Sequence, residues 1–260
     1  MKIHDTALVD KKAELGDGVE VEPYSVIGPD VRIGAGSKIG PHCTIEQYTT
    51  IGKNCRMFTG SAIGGISQDL KFRGDKSSVI IGDDNTIREY VTINRATTKG
   101  SATRIGSGNL IMAYAHVAHD CKIGDRVVIA NCGTLAGYVT IEDNVIVGGL
   151  AGIHQFVRLG TLSIIGGCSK VIKHIPPYAM ADGHPAKIYG INIIGLNRAG
   201  VSQKARMGLK RAFKILFNSG LSLPHALSEI ENNLPHSKEI RNLTHFLKTI
   251  KTDTKRGVCR

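Results

Sequence analysis

The chain has 260 residues, of which 33 are basic and 22 acidic, giving a formal net charge of +11. This length accommodates one large and one small domain, and no apolar stretch reaches the ~18 residues of a membrane span. Six scattered cysteines without CxxC or metal-ligand spacing, and no signal-like apolar run near the N-terminus, predict a cytoplasmic protein with reduced thiols and no bound metal.

The first element is a six-residue repeat. An apolar residue stands at every sixth position from Ile3 to Ile63, again at 81, 87 and 93, and then from Ile105 to Val171. This period fits neither a helix nor an alternating strand, and it is typical of a parallel β-helix. Three hexads make one triangular turn of eighteen residues. With turns ~4.8 Å apart, the prism is on the order of 45 Å long.

Small residues at the fifth place of each hexad are predicted to point inward beside the large ones. They are Ala7, Ser25, Ser37, Cys43, Cys55, Ser61 and Cys121. Glycine and asparagine near the corners suit left-handed backbone conformations. Residues 64–78 and 97–102 break the repeat, and we interpret both as loops that leave the prism. The predicted domain of the β-helix covers residues 1–187.

Residues 188–260 are predicted to form a small helical domain. Ser202 caps a first helix that Gly220 ends, Ser222 and Pro224 start a second, and a third begins near Ser237. Such a bundle covers the open end of a solenoid. This segment contains 13 basic and only four acidic residues, which suggests an acidic macromolecular partner or nucleic acid, or simply a solvated helical surface.

Polar residues on one face of the repeat are candidates for chemistry. Because residues eighteen apart stack, His119, Tyr138 and His154 come from adjacent turns of one face, within roughly 5 to 12 Å. His116 precedes them near a shared corner, and Asp120 follows His119 directly. A histidine beside an aspartate suggests a general base with an orienting carboxylate, although such pairs also occur as ordinary solvated residues.

The segment 114–121, YAHVAHDC, resembles the active-site segment of the UDP-N-acetylglucosamine O-acyltransferase family. Further matching runs follow in order: QDLK at 68–71, IRE at 87–89, TLAG at 134–137, HQF at 154–156, GGCS at 166–169, PPY at 176–178 and GLNR at 195–198. The resemblance implies a left-handed parallel β-helix that forms a homotrimer, with active sites between neighbouring prisms. It also implies transfer of an R-3-hydroxyacyl chain from acyl carrier protein to UDP-GlcNAc, the first step of lipid A synthesis.

The resemblance also implies residue roles. His119 is the general base, Asp120 orients it, and the Gly137 N–H stabilises the oxyanion. No cofactor is implied, because the acyl chain arrives on the phosphopantetheine of acyl carrier protein, and the basic C-terminal end meets that acidic protein rather than nucleic acid. The implied substrate-binding residues are Asp69, Lys71, His116, Tyr138, His154, Gln155 and Arg198.

Some positions depart from the family pattern or leave specificity open. Tyr138 and Asn94 stand where histidines are common, and Ile194 where a glutamate is common, so the acceptor is either a 3-hydroxyl or a 3-amino group. Gly167 matches a position that sets acyl-chain length and leaves room for a long chain. Lys170 nearby has a long cationic side chain that closes an apolar groove, so the acyl length stays open.

Three alternatives remain at this point. A sibling N-acyltransferase of the same pathway normally has an additional N-terminal domain, whereas the hexads here begin at Ile3. A γ-type carbonic anhydrase on the same prism needs three zinc-binding histidines, which His116, His119 and His154 would supply. The third alternative is a scaffold that binds partners through its flat faces.

Overall fold

The computed structural model describes residues 1–253 and 256–260, with only the backbone considered for residues 251–253. Two-residue strands dominate it. The first half of the strands are β1 Lys2–Ile3, β2 Leu8–Val9, β3 Glu14–Leu15, β4 Glu20–Val21, β5 Val26–Ile27, β6 Arg32–Ile33, β7 Lys38–Ile39, β8 Thr44–Ile45, β9 Thr49–Ile51, β10 Arg56–Met57, β11 Ala62–Gly65, β12 Ser78–Ile81, β13 Thr86–Ile87 and β14 Thr92–Asn94. The second half are β15 Ala102–Ile105, β16 Leu110–Ile111, β17 His116–Val117, β18 Lys122–Ile123, β19 Val128–Ile129, β20 Thr134–Leu135, β21 Thr140–Ile141, β22 Ile146–Val147, β23 Gly152–Ile153, β24 Arg158–Leu159, β25 Ile164–Ile165, β26 Lys170–Val171, β27 Ala179–Gly183 and β28 Ala186–Ile191.

Every third strand joins the same sheet, so three sheets form the walls of a triangular prism. They have eleven, nine and eight strands, and all pairings within the repeat are parallel. The usual register shift is eighteen residues, as between Lys2 and Glu20. The prediction of a left-handed parallel β-helix is confirmed.

The large hexad residues form the core. Ile39, Ile63 and Ile129 have no exposed surface, whereas Ile3 at the open end is 40% exposed. The predicted inward position of the small residues is also confirmed for Ser25 to Cys121, and Ala7 is partly buried against the core.

The small polar residues inside the prism satisfy their hydrogen-bonding groups through neighbouring corners. The Ser25 hydroxyl donates to the Gly40 carbonyl at 2.7 Å and accepts the Cys43 N–H at 3.1 Å. Burial raises the pKa of the Cys121 thiol to about 12, so this thiol stays protonated and unreactive.

The corners differ from expectation, because many residues other than glycine and asparagine adopt the left-handed conformation there. Asp120, Tyr138 and Phe156 all have φ between 60° and 65°. Stacking between turns helps to offset the steric cost of this conformation. The rings of Tyr90 and Tyr114 stack at 5.3 Å, and those of Tyr138 and Phe156 at 4.9 Å.

The C-terminal part begins with a β27–β28 antiparallel hairpin, which the sequence pattern did not reveal. Four helices follow: α1 Ile193–Arg198, α2 Gln203–Asn218, α3 Leu223–Asn233 and α4 Lys238–Asp253. The predicted cap at Ser202 accepts the Ala205 N–H at 3.2 Å, whereas Ser222 makes no side-chain cap bond. Among the described residues, no helix combines the length and apolar character needed to cross a bilayer.

A charged clamp fastens helix α4 to the prism. The Arg158 guanidinium donates to Glu142 at 2.8 Å and to Thr249 Oγ1 at 3.1 Å, and it lies 4.6 Å from the centre of the Phe246 ring. The second Glu142 oxygen accepts the N–H and hydroxyl of Thr161, both at 2.8 Å. Glu142 therefore links two turns of the prism, and its partner Arg158 links those turns to α4.

We predict that Glu142→Gln lowers the free energy of unfolding by about 1–3 kcal/mol, because it leaves Arg158 partly buried without its carboxylate. The matched control is Glu14→Gln, which removes the exposed partner of Arg32 and is worth ~0–1 kcal/mol. Thermal or urea unfolding measures both variants. Equal losses of stability in Glu142→Gln and Glu14→Gln would contradict the stabilising role of the clamp.

Candidate active site

Two loops and the His119–Asp120 pair meet at one corner of the prism. Residues 66–77 leave the nine-stranded sheet after β11, and residues 95–101 leave it after β14. We call them the first loop and the second loop. They account for longer register shifts: Thr92 follows its partner Ala62 by thirty residues, and His116 follows Thr92 by twenty-four. His119 and Asp120 follow β17 on the next turn of the same sheet.

His119 lies outside the interior stack, as predicted, but the loops cover it and leave it only 7% exposed. Its Nδ1 lies 2.9 Å from Thr97 Oγ1 and 3.0 Å from Asp120 Oδ2. The same carboxylate oxygen accepts the Thr97 N–H at 2.9 Å, and the Asp120 N–H donates to Thr103 Oγ1 at 2.8 Å. The corner and the second loop therefore hold the pair together.

These contacts select the imidazole tautomer. An ionised carboxylate only accepts hydrogen bonds, so the Nδ1 atom beside Asp120 carries the proton. In the neutral ring the lone pair is then on Nε2. On that side Asp69 Oδ2 lies 4.0 Å from Nε2. The other Asp69 oxygen accepts the Lys71 N–H at 2.9 Å.

Gly137 packs against the imidazole from the next turn. A Cβ at this position would lie 2.4 Å from His119 Cε1 and 2.5 Å from Nε2, so a side chain does not fit. Among the described residues none accepts a hydrogen bond from the Gly137 N–H. A backbone donor is therefore available on the residue that packs against the imidazole.

Tyr138 completes the wall around His119. Its ring meets the imidazole edge to face at 5.3 Å and stacks on Phe156. Burial, and next the charge of Asp120, raise the pKa of Tyr138 above its usual value. The hydroxyl therefore keeps its proton at neutral pH and acts as a hydrogen-bond donor.

His116 is a second imidazole near the pair. Its Nδ1 lies 2.7 Å from Thr92 Oγ1. Burial, and next the charge of His119, lower the pKa of His116 below its usual value. An uncharged His116 avoids repulsion when His119 takes up a proton.

Among the described residues, the other predicted site residues make no hydrogen bond or ion pair with His119. His154 is exposed and its Nδ1 lies 3.4 Å from the Gln155 carbonyl, whereas the rings of His119 and Tyr138 meet at 5.3 Å. The place of His154 on the same face as these two residues stays a prediction. The remaining predicted residues are exposed on separate elements: Lys71, Gly167, Lys170 and Arg198.

Sequence reasoning missed the residues that hold the site together. Thr97 bonds both members of the pair, and its Oγ1 lies 2.9 Å from Ser67 Oγ in the first loop. Its position in a break of the repeat was the available signal. Phe72, in the other break of the repeat, carried the same signal, whereas Arg95 and Thr103 carried none.

Known proteins match the whole chain. The family model described as Udp N-acetylglucosamine O-acyltransferase, domain 2, matches residues 175–259, and the bacterial transferase hexapeptide model matches residues 12–47 and 102–137. The acyl-[acyl-carrier-protein]–UDP-N-acetylglucosamine O-acyltransferase of Thermodesulfovibrio yellowstonii is 47% identical over 260 residues, covering 100% of this chain and 99% of that protein. The chain belongs to the UDP-N-acetylglucosamine O-acyltransferase family.

Solved structures of this family agree with the fold. The Acinetobacter baumannii member matches with a TM-score of 0.94 and 41% identity over 99% of both chains. The Moraxella catarrhalis UDP-N-acetylglucosamine O-acyltransferase matches with a TM-score of 0.94 and 37% identity over 100% of both chains. Family membership makes the chain an acyltransferase and decides against the carbonic anhydrase and scaffold alternatives.

Two departures from the family pattern have visible structural settings in this acyltransferase. Asn94 is 7% exposed and its amide donates to the Ile66 carbonyl at 2.9 Å, so it braces the start of the first loop. Ile194 is 65% exposed on α1, where it offers an apolar surface in place of a carboxylate.

We predict that Gly137→Ala reduces turnover strongly while the prism stays folded, because the new methyl group displaces the imidazole of His119. The matched control is Gly208→Ala in α2, where the added Cβ lies 3.9 Å or more from its neighbours. Steady-state turnover and thermal unfolding compare the two. Full activity of Gly137→Ala would show that the ring has room to move.

Proposed function

We propose that this chain transfers an R-3-hydroxyacyl group from acyl carrier protein to the 3-position of UDP-N-acetylglucosamine, with His119 as the general base. The observation that carries the proposal is the placement of the His119 ring. Asp120 and Thr97 flank Nδ1, and Nε2 lies 4.0 Å from Asp69 Oδ2 on a ring that packs against Gly137. Family membership supplies the donor and acceptor classes.

The proposed reaction is a direct attack without a covalent enzyme intermediate. Nε2 removes the proton of the acceptor group at the sugar 3-position, and that atom attacks the thioester carbonyl. The Gly137 N–H stabilises the oxyanion of the tetrahedral intermediate. When the intermediate collapses, the C–S bond breaks and the leaving thiolate takes the proton from the His119 imidazolium. Asp120 stabilises that imidazolium while it exists.

Substrate contacts follow from the neighbouring groups. Asp69 binds the sugar near Nε2, Lys71 and Arg198 supply cations for the nucleotide diphosphate, and Tyr138 donates a hydrogen bond where relatives commonly have a histidine. His116, His154 and Gln155 line the cleft. In the proposed homotrimer, the sister prism closes this cleft.

The donor side involves the C-terminal helices. Helix α2 exposes Lys210, Arg211 and Lys214 beside an apolar groove of about 620 Å³ between the helix and the β27–β28 hairpin. These cations support an acidic carrier protein as the donor. In the proposal, no cofactor is needed beyond its phosphopantetheine arm, and Gly167 and Lys170 set the length of the accepted chain.

We predict that His119→Gln lowers turnover by ~10²–10⁴-fold, the usual contribution of general-base catalysis. His4→Gln, at an exposed position near the N-terminus, is the matched control and retains activity. Mass spectrometry of products from UDP-GlcNAc and a panel of acyl carrier protein thioesters measures the rates. The mechanism is wrong if His119→Gln works at the wild-type rate.

The same panel resolves the acceptor atom. UDP-GlcNAc is compared with its analogue that has a 3-amino group, and the products are distinguished as ester or amide. A chain that acylates neither acceptor would contradict the proposed function.

A further inference from the structure

Among the described residues, Arg95 is a buried cation without a carboxylate partner. It is 5% exposed, and its Nε atom has no hydrogen-bond acceptor among the described residues. Buried arginines are normally paired with an anion, because desolvating an isolated charge costs free energy. Neither the fold nor the proposed chemistry at His119 explains why this side chain is kept here.

Two aromatic rings, instead of an anion, lie beside the Arg95 guanidinium. The Arg95 guanidinium carbon lies 5.6 Å from the centre of the Phe72 ring and 5.8 Å from that of Tyr48. Both distances are within the range of cation–π attraction. Tyr48 stands on a corner of the prism, whereas Phe72 is in the first loop, three residues after Asp69. The guanidinium therefore connects the rigid prism to the loop.

Other contacts fix the two ends of the first loop. The backbone N–H of Arg95 donates to the Gly65 carbonyl at 2.8 Å, and Thr97 Oγ1 lies 2.9 Å from Ser67 Oγ. At the far end, the Ser77 hydroxyl donates to the Ala96 carbonyl. The middle of the first loop is held by a different contact. Phe72 lies against the Arg95 guanidinium, which also lies beside Tyr48 on the prism.

Residues 95–97 thus contact the loop on one side and the catalytic pair on the other. Thr97 bonds His119 and Asp120, and two residues earlier Arg95 holds Phe72. We propose that Arg95 is a positioning residue, which holds Phe72 so that Asp69 lies beside His119 Nε2 and the first loop is placed to receive the sugar nucleotide. The inference rests on the proposed function for the identity of that ligand.

The test compares Arg95→Met, Arg95→Lys and Phe72→Leu. Loss of a cation–π contact worth ~0.5–2 kcal/mol raises the KM for UDP-GlcNAc about 2- to 30-fold in Arg95→Met and Phe72→Leu. The kcat and its pH profile stay as in the wild type, because His119 and Asp120 are untouched. Arg95→Lys is intermediate, since it keeps the charge but loses the planar group. Arg56→Met, at an exposed position on another sheet, is the matched control.

Hydrogen exchange separates this inference from the proposed function. In the unliganded protein, Arg95→Met should speed exchange in residues 69–75 and leave residues 116–120 unchanged, whatever substrate the enzyme uses. Wild-type KM together with wild-type exchange in Arg95→Met would overturn the positioning role. If Arg95→Met does not fold, the KM and the hydrogen exchange are measured on Phe72→Leu instead. Wild-type values of both in Phe72→Leu would also overturn the positioning role.

Discussion

The eighteen-residue register is the constraint on which the rest of this structure depends. Each turn places one large apolar side chain per wall into a stack with no exposed surface, as Ile39, Ile63 and Ile129 show. A shift of one residue would expose that stack, so the register is strongly specified. The register in turn fixes which residues stand at the corners, and His119, Asp120 and Tyr138 of the candidate site lie at one of them.

Insertions at one corner convert a repetitive wall into a site. Both loops leave the same edge of the prism, on consecutive turns below His119. They bury the imidazole without placing it in the core, and Thr97 brings a hydroxyl and an N–H to the pair. A low-dielectric pocket strengthens the interaction of Asp120 with Nδ1–H and with the imidazolium of the proposed mechanism.

The sequence predicted what the repeat determines and failed where contacts are local exceptions. Cys121 and Ile129 could be placed inside because their hexad positions are periodic. The closeness of His119 and Tyr138 also follows from the register, since they are one turn and one residue apart. The burial of His119 could not be predicted, because it depends on loop conformations that no period describes. For the same reason the contacts of Thr97 and Arg95 could not be predicted from the sequence.

The central claim is that the corner fixes His119 with its proton on Nδ1 and its lone pair on Nε2. Nitrogen-15 NMR of protein labelled on histidine side chains reads this tautomer directly, with the His119 signal assigned by its absence from the His119→Gln spectrum. The account predicts that the neutral form of the ring carries its proton on Nδ1. A ring protonated on Nε2 instead would contradict it.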